Sequence, residues 1–557
     1  MSQRSRRLLF ASLTLASCTL PGAAQCIVDQ WAGPQPTGSI WLGLRMVADG
    51  EWLAVTNGST IGPGEVHLLR RQPDGDYAWF QTVESPLEIA AFDFGKGLDL
   101  RGDLLAVGAP SFNPDQAPES AVYLFEFDGT EWNFTERFTA PNEPNNTNFG
   151  RSLSLGPDGL AVGASTEQIF LPQPGPLFAN NAGAVYLYRR EGDGWNPDGR
   201  ITAANPADFD QFGAQVGLTR TADGLDQLVV SRPGADFYGS NAGLVQLYIR
   251  QGQSQWLATQ TLEPQSVASF SGFGEGLALD GDHLVVGSPR GGLTAKETGL
   301  FDAFDYVAGF WVRTQTFAAA EDLTSSNFQD AMDLSGNQLA VGTPQFTSIQ
   351  PDQGAALRFE RVDGLWQQRV SALPKFSQSA QNFGTSVAWL DTDPPRLATS
   401  ASNDLTYGPS HGLIFQHEWQ AGACQTLFSD LGTVSVGEPG SATLRLEPPS
   451  GSEGSLYFVL GSTSGTEPGL PVDGQVLPLT IDDYFLQTLT QPNTPPLPDG
   501  LGTFVGAWGT ALASFVLPPG LDPALAGSEV HHAYAVIDPL LGQVVHASNP
   551  VLHVLVP

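Results

Sequence analysis

The sequence predicts an all-β protein, a seven-bladed β-propeller followed by a small β-sandwich-like C-terminal domain. Three observations lead to this prediction. A sequence unit recurs seven times at intervals of 52 to 63 residues, and the turn-forming residues Gly (63) and Pro (42) are abundant among 557 residues. Only 15% of the residues are charged, so long Glu/Lys-rich helices are not expected, whereas the 41% of hydrophobic residues suffices for packed cores.

Each repeat opens with a Phe-Gly pair or a related pair, followed by an apolar run that ends in small residues. Clear examples of this run are Leu105–Pro110, Leu284–Pro289 and Leu339–Pro344. Glycine allows close backbone approach near a crowded axis, and the Phe ring can fill the space between blades. The seven pairs are Leu42-Gly43, Phe94-Gly95, Phe149-Gly150, Phe212-Gly213, Phe273-Gly274, Phe328-Gln329 and Phe383-Gly384.

The second half of each repeat predicts two further strands. In the run Ala184–Arg190, Val185 and Leu187 alternate with Tyr186 and Tyr188, which is typical of a strand with two different faces. Asp-Gly pairs, which favour tight hairpin turns, follow this run in four repeats. A tryptophan then opens the fourth strand in six repeats, at Trp79, Trp132, Trp195, Trp256, Trp311 and Trp366. Four strands in each of seven units describe a seven-bladed propeller, whose blades must stack to bury their faces.

The repeated unit resembles that of a known protein family. Phe94-Gly95 followed by Leu105–Pro110 resembles the FG-GAP repeat of integrin α-subunit propellers and of many exported bacterial proteins, and the resemblance covers about residues 38–420. It implies a propeller in which the connections from the second to the third strand and from the fourth to the next first strand share a ligand-binding face. A propeller is a scaffold for many activities, so the resemblance fixes the fold better than the function.

The N-terminal segment is expected to complete the ring. The seventh repeat lacks a Trp-bearing fourth strand, and Cys26–Trp31 resembles that strand, so we expect it to form the outer strand of blade seven. This would place Cys26 near Cys424 and allow a disulfide between them, the alternative being two free thiols. The propeller is accordingly assigned to residues 25–425.

Residues 1–24 read as a secretory signal peptide. Three arginines precede the short apolar run Leu8–Leu20, and the small residues Gly22, Ala23 and Ala24 follow it. Leu15–Cys18 also resembles a bacterial lipobox, so lipid anchoring through Cys18 is an alternative to release. We expect an exported protein, extracellular or at the cell surface, with no membrane-spanning segment.

The net charge of −33 argues against two classes of partner. Nucleic-acid backbones and anionic membrane surfaces both require clustered Lys and Arg, whereas this chain has 25 basic and 58 acidic residues. The acidic surface is explained equally well as a means of staying soluble.

Residues 426–557 lack the repeat and predict a β-sandwich-like domain. Short apolar segments alternate with Gly/Pro turns from Thr433 onwards, and the Pro-rich segment Thr490–Gly502 is expected to be a surface loop. The adjacent His531 and His532 lie in a predicted strand, so they should point to opposite faces and not chelate together.

The metal chemistry that the family resemblance implies is only weakly represented. Integrin-type blades hold calcium in the loop between the first and second strands, where spaced Asp and Asn residues supply the oxygen ligands. The nearest match here is Thr219–Asp226, in which Thr219 and Thr221 stand where acids are expected. Asp223 and Asp226 are therefore the candidate calcium ligands, with an ordinary turn as the alternative, and no cofactor is expected.

The connections between second and third strands supply the candidate ligand-binding residues. These connections are long and carry aromatic residues beside Asn and Asp, a combination that suits sugar rings or the side chains of a protein partner. The alternative is that the rings pack loop against loop. The candidate residues are Phe112, Phe170, Phe178, Phe237, Tyr238, Phe346 and Tyr407.

The function predicted from these features is adhesion or ligand binding by an exported, non-enzymatic propeller, with a glycan or an extracellular protein as the ligand. One alternative is a secreted hydrolase acting on polysaccharide or lipid, which clustered carboxylates with shifted pKa values at the channel mouth would favour. The other is a purely structural component of the cell surface. No His-Glu-x-x-His or phosphate-loop motif is present.

Overall fold

The computed structural model describes most of the chain between residues 24 and 556, and its contacts divide the chain into two compact units. One unit is Gln25–Trp419 and the other contains Gln420–Pro557. The described ranges are 24–31, 33, 40–59, 64–73, 75–86, 93–110, 120–140, 148–171, 178–192, 194–237, 239–252, 254–265, 270–291, 299–319, 328, 331–345, 353–372, 382–403, 412–420, 427–429, 433–436, 440–446, 452, 454–504, 511–518 and 521–556.

The first unit is built from strands, most of which are five to eight residues long. In chain order they are β1 (Ala24–Trp31), β2 (Ile40–Asp49), β3 (Trp52–Ser59), β4 (Glu65–Arg71), β5 (Tyr77–Glu84), β6 (Gly97–Arg101), β7 (Leu104–Ala109), β8 (Ala121–Phe127), β9 (Trp132–Thr139), β10 (Leu153–Leu155), β11 (Gly159–Ala164), β12 (Ile169–Phe170), β13 (Phe178–Ala179), β14 (Ala184–Glu191), β15 (Gly194–Thr202), β16 (Val216–Arg220), β17 (Asp226–Arg232), β18 (Leu244–Arg250), β19 (Trp256–Leu262), β20 (Gly276–Asp280), β21 (His283–Ser288), β22 (Leu300–Val307), β23 (Phe310–Phe317), β24 (Met332–Ser335), β25 (Gln338–Thr343), β26 (Ala355–Val362), β27 (Leu365–Ala372), β28 (Phe383–Leu390), β29 (Arg396–Ala401) and β30 (Leu413–Gln420).

Within the described residues these strands form seven four-stranded sheets, named S1 to S7 in chain order. They are S1 (β2–β5), S2 (β6–β9), S3 (β10, β11, β14, β15), S4 (β16–β19), S5 (β20–β23), S6 (β24–β27) and S7 (β28–β30 with β1 beside β30). Both faces of the inner strands are covered, as the burial of Val185, Tyr186, Leu187 and Tyr188 in β14 illustrates. This arrangement of twisted sheets, each covered by its neighbours, is a β-propeller.

Neighbouring sheets are joined by hydrogen bonds between their innermost strands. The Asp99 carboxylate of S2 accepts the Leu155 N–H of S3 at 2.6 Å, and the Ser154 hydroxyl of S3 accepts the Leu218 N–H of S4 at 2.9 Å. Register with the second strand places Asp99 and Ser154 at equivalent positions, because Asp99 pairs with Ala106 and Ser154 with Ala161. In S2 and S3 the same inner position therefore supplies an acceptor to the next sheet.

The outermost strands carry a second repeated link. The Gln81 side-chain amide of S1 donates to the Trp132 carbonyl of S2 at 2.9 Å, and its oxygen accepts the Trp132 N–H at 2.8 Å. Gln260 makes the same pair with Trp311, and Gln315 makes it with Trp366. The tryptophans that open the fourth strands thus also fix the spacing between sheets.

The last sheet lies against the first. The Met46 N–H of S1 donates to the Ser386 hydroxyl of S7 at 2.9 Å. At the periphery, Arg396 of S7 donates to Asp76 of S1 at 2.8 Å. β1 completes S7 as its outer strand. Cys26 is described only as part of β1 and Cys424 lies outside the described residues, so the disulfide stays a prediction.

The second unit contains two sheets and a short helix. Its elements are β31 (Leu427–Ser429), β32 (Thr433–Ser435), β33 (Gly440–Leu446), β34 (Leu456–Ser462), β35 (Leu470–Val472), β36 (Gln475–Leu477), α1 (Asp483–Thr490), β37 (Leu501–Thr503), β38 (Ala511–Leu517), a 3₁₀ turn (Pro523–Leu525), β39 (Glu529–Asp538), β40 (Gln543–Ala547) and β41 (Val551–Val556).

The core of this unit lies between a three-stranded sheet, β31-β33-β38, and a larger sheet, β32-β41-β39-β34-β37, in which β40 also pairs with β39. Leu444 and Phe515 of the smaller sheet pack in one cluster with Val459 and Tyr534 of the larger sheet. The run from Thr433 to Leu446 forms two strands, β32 and β33, which belong to different sheets. Helix α1 was not predicted.

Several sequence predictions fall outside what the structure describes. The predicted signal segment is one, since residues 1–23 are not described, and Cys18 lies within them. Among the described residues, no helix is both long enough and apolar enough to cross a membrane.

Candidate functional site

Exposed phenylalanines lie at one end of sheets S3 and S4. Each sheet runs antiparallel in chain order, so the connections from its second to its third strand and from its fourth strand to the next sheet emerge at the same end. Phe170 and Phe237 in the former connections are 81% and 80% exposed. Phe178, Phe209 and Phe270 are also exposed. We call Phe170, Phe178, Phe209, Phe237 and Phe270 the aromatic face.

S3 and S4 are neighbours, so the aromatic face spans two adjacent sheets. The Ser152 hydroxyl of S3 accepts the Val216 N–H of S4 at 2.9 Å. Between the second and third strands of S3, strands β12 and β13 pair with each other and hold Phe170 and Phe178 edge to face, with ring centroids 6.4 Å apart. The two rings therefore lie side by side on a pair of hydrogen-bonded strands.

Phe209 and Phe270 hold their exposed positions at the expense of backbone strain. Their φ angles are +64° and +65°, a region that bulky L-residues rarely adopt. The surrounding chain fixes both, because the Phe209 N–H donates to the Asn180 carbonyl at 2.8 Å and the Phe270 N–H to the Ser240 carbonyl at 2.6 Å. The same strained, exposed residue thus recurs beside two neighbouring sheets.

Polar groups lie among these rings. The exposed Asp208 carboxylate accepts the Asn180 N–H at 2.7 Å, and the exposed Asp236 carboxylate accepts the Asn241 N–H at 2.7 Å. The Gln168 side-chain amide donates to the Asn180 side-chain oxygen at 2.7 Å. Flat apolar rings beside ordered amides and carboxylates can bind ligands that combine apolar faces with hydroxyl groups.

The structure locates three of the seven aromatic residues selected from the sequence. Phe170, Phe178 and Phe237 belong to the aromatic face, whereas Phe112, Tyr238, Phe346 and Tyr407 lie outside the described residues. Sequence reasoning missed Phe209 and Phe270. A usable signal was present, because each stands three residues before a Phe-Gly pair, giving the pattern Phe-x-x-Phe-Gly in two successive repeats.

A second candidate site is a cavity of about 180 Å³ among the innermost strands. Strands of S1, S2, S3, S6 and S7 contribute to its lining, as does the segment before S4. We call it the axial cavity. Its charged and polar lining residues are Arg45, Asp99, Arg151, Ser152, Gln215 and Asp333, and Met46, Met332 and Val387 are among the apolar ones.

Two carboxyl groups of the axial cavity have strongly shifted pKa values. Burial raises the pKa of Asp99 to about 7 and that of Asp333 to about 6, even though backbone N–H groups donate to both carboxyls. Asp333 accepts the Trp389 N–H of S7 at 2.6 Å, just as Asp99 accepts that of Leu155. Each group therefore links two sheets and titrates near neutral pH.

The residues predicted as calcium ligands bond to separate protein donors. Asp226 accepts hydrogen bonds from Arg220 at 2.7 Å and Arg250 at 3.4 Å. Asp223 accepts them from the Thr221 hydroxyl at 2.7 Å and the Tyr306 hydroxyl at 2.8 Å. A calcium site must gather six or more oxygen ligands around a dication. The guanidinium groups of Arg220 and Arg250 instead occupy the Asp226 carboxylate, so these residues do not fit a calcium site. Among the described residues no group of three or more His, Cys, Asp and Glu could hold a metal ion.

Comparisons with known proteins give β-propellers. No protein-family model and no curated protein sequence matches the chain. The β-propeller domain of the Trilobed protease from Pyrococcus furiosus is 9% identical, with a TM-score of 0.39, over 69% of this chain and 97% of that one. The periplasmic gluconolactonase of Pseudomonas aeruginosa is 15% identical, with a TM-score of 0.38, over 60% and 86%.

A third similar structure is the acylaminoacyl peptidase of Pyrococcus horikoshii, which is 10% identical with a TM-score of 0.38. The match covers 74% of this chain but only 59% of the peptidase chain. These are likenesses of fold, and the activities belong to those proteins. The prediction of a non-enzymatic protein was nevertheless wrong, because the similar structures come from enzymes, and we withdraw it.

Proposed function

We propose that the protein is an exported seven-bladed propeller of the FG-GAP type, with a β-sandwich-like C-terminal domain, and that it recognises a glycan through the aromatic face. The observation that carries this proposal is the set of five exposed phenylalanines beside S3 and S4, two of them in a strained backbone conformation. Strained residues persist where the surrounding structure holds them and are frequent at ligand-binding sites.

A glycan suits this surface better than an anionic ligand does. Sugar rings present apolar C–H faces to aromatic rings and hydroxyl groups to amides and carboxylates, both of which the aromatic face offers. The chain has a formal net charge of −33, and Asp208 and Asp236 are exposed within the aromatic face. Polyanions would therefore be repelled, and we expect a neutral or cationic glycan.

Removing the two most exposed rings of the aromatic face, those of Phe170 and Phe237, is expected to abolish most of the glycan affinity. Aromatic hot-spot residues typically contribute about 1–2 kcal/mol or more each, so we expect the double variant Phe170→Ala, Phe237→Ala to bind at least about 30-fold more weakly. The mature chain is first tested on an array of neutral and charged glycans. Its affinity for the best ligand is then measured by titration calorimetry for the wild type and the variant.

Phe310→Ala is the matched control. Phe310 is 63% exposed and lies in the hairpin between β22 and β23, at the opposite end of its sheet. Its loss should leave glycan binding unchanged. Equal losses in the control and the double variant, or no saturable binding to any glycan, would contradict the proposal.

A hydrolase is the second candidate function, favoured by the two carboxyl groups in the axial cavity. A carboxyl group with a pKa near 6 or 7 can donate a proton at neutral pH, which is what a general acid in glycoside hydrolysis must do. Asp99 and Asp333 meet this condition and face one cavity. The reaction proposed is hydrolysis of a polysaccharide end that enters the cavity.

The test is product release from the glycans that bind. If the axial carboxyls act as acid and base, the double variant Asp99→Ser, Asp333→Ser should lower the hydrolysis rate at least about 100-fold. Serine keeps an acceptor for the next sheet, as Ser154 does at the equivalent position of S3. Unchanged product release by the double variant would exclude the axial site. Binding without any product would leave the glycan-recognition proposal and reject the hydrolase.

A further inference from the structure

A chain of four hydrogen-bonded side chains runs through the second unit. The Ser429 hydroxyl lies 2.7 Å from His553 Nε2, and His553 Nδ1 lies 3.2 Å from His532 Nδ1. His532 Nε2 in turn lies 2.9 Å from the Tyr484 hydroxyl. We call Ser429, His553, His532 and Tyr484 the relay.

The relay is assembled from four separate elements. Ser429 lies in β31 of the smaller sheet, whereas His553 in β41 and His532 in β39 belong to the larger sheet, and Tyr484 lies in α1. The ring of Phe515 packs against both imidazoles, with centroid distances of 4.5 Å and 5.2 Å. A side chain at Gly461 would overlap the Tyr484 ring, so this glycine permits the helix to bring Tyr484 to His532.

Burial distinguishes the middle of the relay from its ends. His532 and His553 are fully buried, whereas Tyr484 and Ser429, which lies on the edge strand β31, are only partly buried. Of these two ends, Ser429 carries the aliphatic hydroxyl that can act as a nucleophile, with a buried base behind it.

The hydrogen bonds are all satisfied when each imidazole carries one proton. In one direction along the relay, the Ser429 O–H donates to His553 Nε2, His553 Nδ1–H donates to His532 Nδ1, and His532 Nε2–H donates to the Tyr484 oxygen. Burial lowers the pKa of His532 well below its usual range, with His553 and His531 adding to this effect, so His532 stays neutral. In this arrangement His553 presents an unprotonated nitrogen to the serine hydroxyl.

We propose that Ser429 is a nucleophile for ester carbonyl groups, with His553 as its general base and with His532 and Tyr484 as positioning residues that fix the His553 ring. A serine activated by an adjacent imidazole, which a third group orients, is the recurring arrangement of nucleophilic hydrolases on unrelated folds.

The reaction balances with water as the only co-reactant. Ser429 Oγ forms a bond to the ester carbonyl carbon while its proton passes to His553 Nε2. The bond between that carbon and the alkoxy oxygen then breaks, and His553 returns the proton to the leaving alcohol. Water, deprotonated by His553, attacks the acyl-serine and releases the acid, which restores the Ser429 hydroxyl.

The experiment is covalent labelling of the full mature chain with a fluorophosphonate probe, which forms an Oγ–P bond and releases fluoride. We expect one adduct, located on the peptide of Ser429 by mass spectrometry, and no adduct in Ser429→Ala. His553→Gln keeps a polar group at that position but provides no base, and should slow labelling at least about 100-fold. Ser464→Ala, which changes a serine of the same unit outside the relay, should label as the wild type does.

Labelling separates catalysis from packing. If the relay only holds the two sheets together, the variants change thermal stability but the wild-type chain forms no adduct on Ser429, and the proposal fails. It also fails if His553→Gln labels at the wild-type rate. Should His553→Gln unfold, Tyr484→Phe serves instead, because it keeps the ring and removes the last hydrogen bond of the relay. A several-fold slower labelling rate with an unchanged melting temperature then supports the proposal, and an unchanged rate overturns it.

Discussion

Replacing Gly183 by alanine is expected to lower the unfolding free energy of the propeller by about 3 kcal/mol or more. Gly183 precedes the third strand of S3 and has φ +86°, so any side chain there is strained. In addition, an ideal Cβ would lie 2.1 Å from the carbonyl oxygen and 2.6 Å from the nitrogen of Phe212, in the Phe-Gly pair of the next sheet. Backbone atoms cannot turn aside as a flexible side chain can, so the two sheets would have to separate.

A second glycine separates the cost of the backbone strain from the cost of the steric overlap. Gly364 has φ +81° in a hairpin turn, but no atom lies within 4 Å of its ideal Cβ. Gly364→Ala should therefore lose only about 1 kcal/mol from the backbone strain. Both variants are compared by urea denaturation followed by tryptophan fluorescence. Equal losses would mean that the contact with Phe212 contributes nothing to stability.

The same contact explains why the repeat was visible in the sequence. Gly243 meets Phe273 and Gly354 meets Phe383 in the way that Gly183 meets Phe212, at 2.0 to 2.2 Å from an ideal Cβ to the carbonyl oxygen. A steric requirement at these three sheet boundaries fixes both the glycine and the Phe-Gly pair. Strand limits were also predictable where both faces are buried: Ala184–Arg190 was expected, and β14 spans Ala184–Glu191.

Features of the second unit were harder to predict because they depend on contacts between distant segments. Helix α1 has eight residues, and its clearest signal is Asp482, whose carboxylate accepts the Phe485 N–H at 2.8 Å as an N-cap. So short an amphipathic pattern is easily taken for a strand or a turn. His532 was considered only beside His531, whereas its partner, His553, is brought close by the pairing of β39 with β41.

The axial carboxyls show a similar limit. Asp99 and Asp333 occupy equivalent positions in their repeats, since they pair with Ala106 and Ala340. Other repeats have Val47, Ser154 or Ala388 there, so no sequence motif marks the position. Only the arrangement of the sheets shows that this position faces a shared cavity and that a carboxyl group there is largely shielded from water.

The stability of the propeller is expected to fall as the pH rises from about 4 to about 7, and Asp99→Ser is expected to remove a large part of that fall. In the unfolded chain Asp99 ionises near pH 4, whereas in the folded chain its pKa is raised to about 7. Between these values the unfolded state has lost a proton that the folded state keeps, so deprotonation favours unfolding. Below pH 4 both states are protonated and the effect is absent. Above pH 7 both are ionised and it is constant.

The size of this change in unfolding free energy follows from the rise in the pKa of Asp99, since each pKa unit corresponds to about 1.4 kcal/mol. Because water has partial access to the cavity, we reduce the total to about 3 kcal/mol. Because the chain carries many other acids, the informative quantity is the difference in unfolding free energy between Asp99→Ser and the wild type. We expect the variant to gain about 3 kcal/mol relative to the wild type between pH 4 and pH 8. Serine retains an acceptor for the Leu155 N–H, as Ser154 shows, so the link to S3 is preserved.

Asp280→Ser is the control for this measurement. The Asp280 carboxylate also accepts a backbone N–H from the next sheet, that of Gly336 at 2.7 Å, but Asp280 is exposed at the end of β20. Replacing it removes one carboxylate and one acceptor between sheets without emptying a buried site, so this variant measures what those two losses alone do to stability at each pH. A parallel course for the two variants would mean that Asp99 ionises as freely as a surface carboxylate. The axial cavity would then offer no proton donor at neutral pH, and the hydrolase candidate would lose the observation on which it rests.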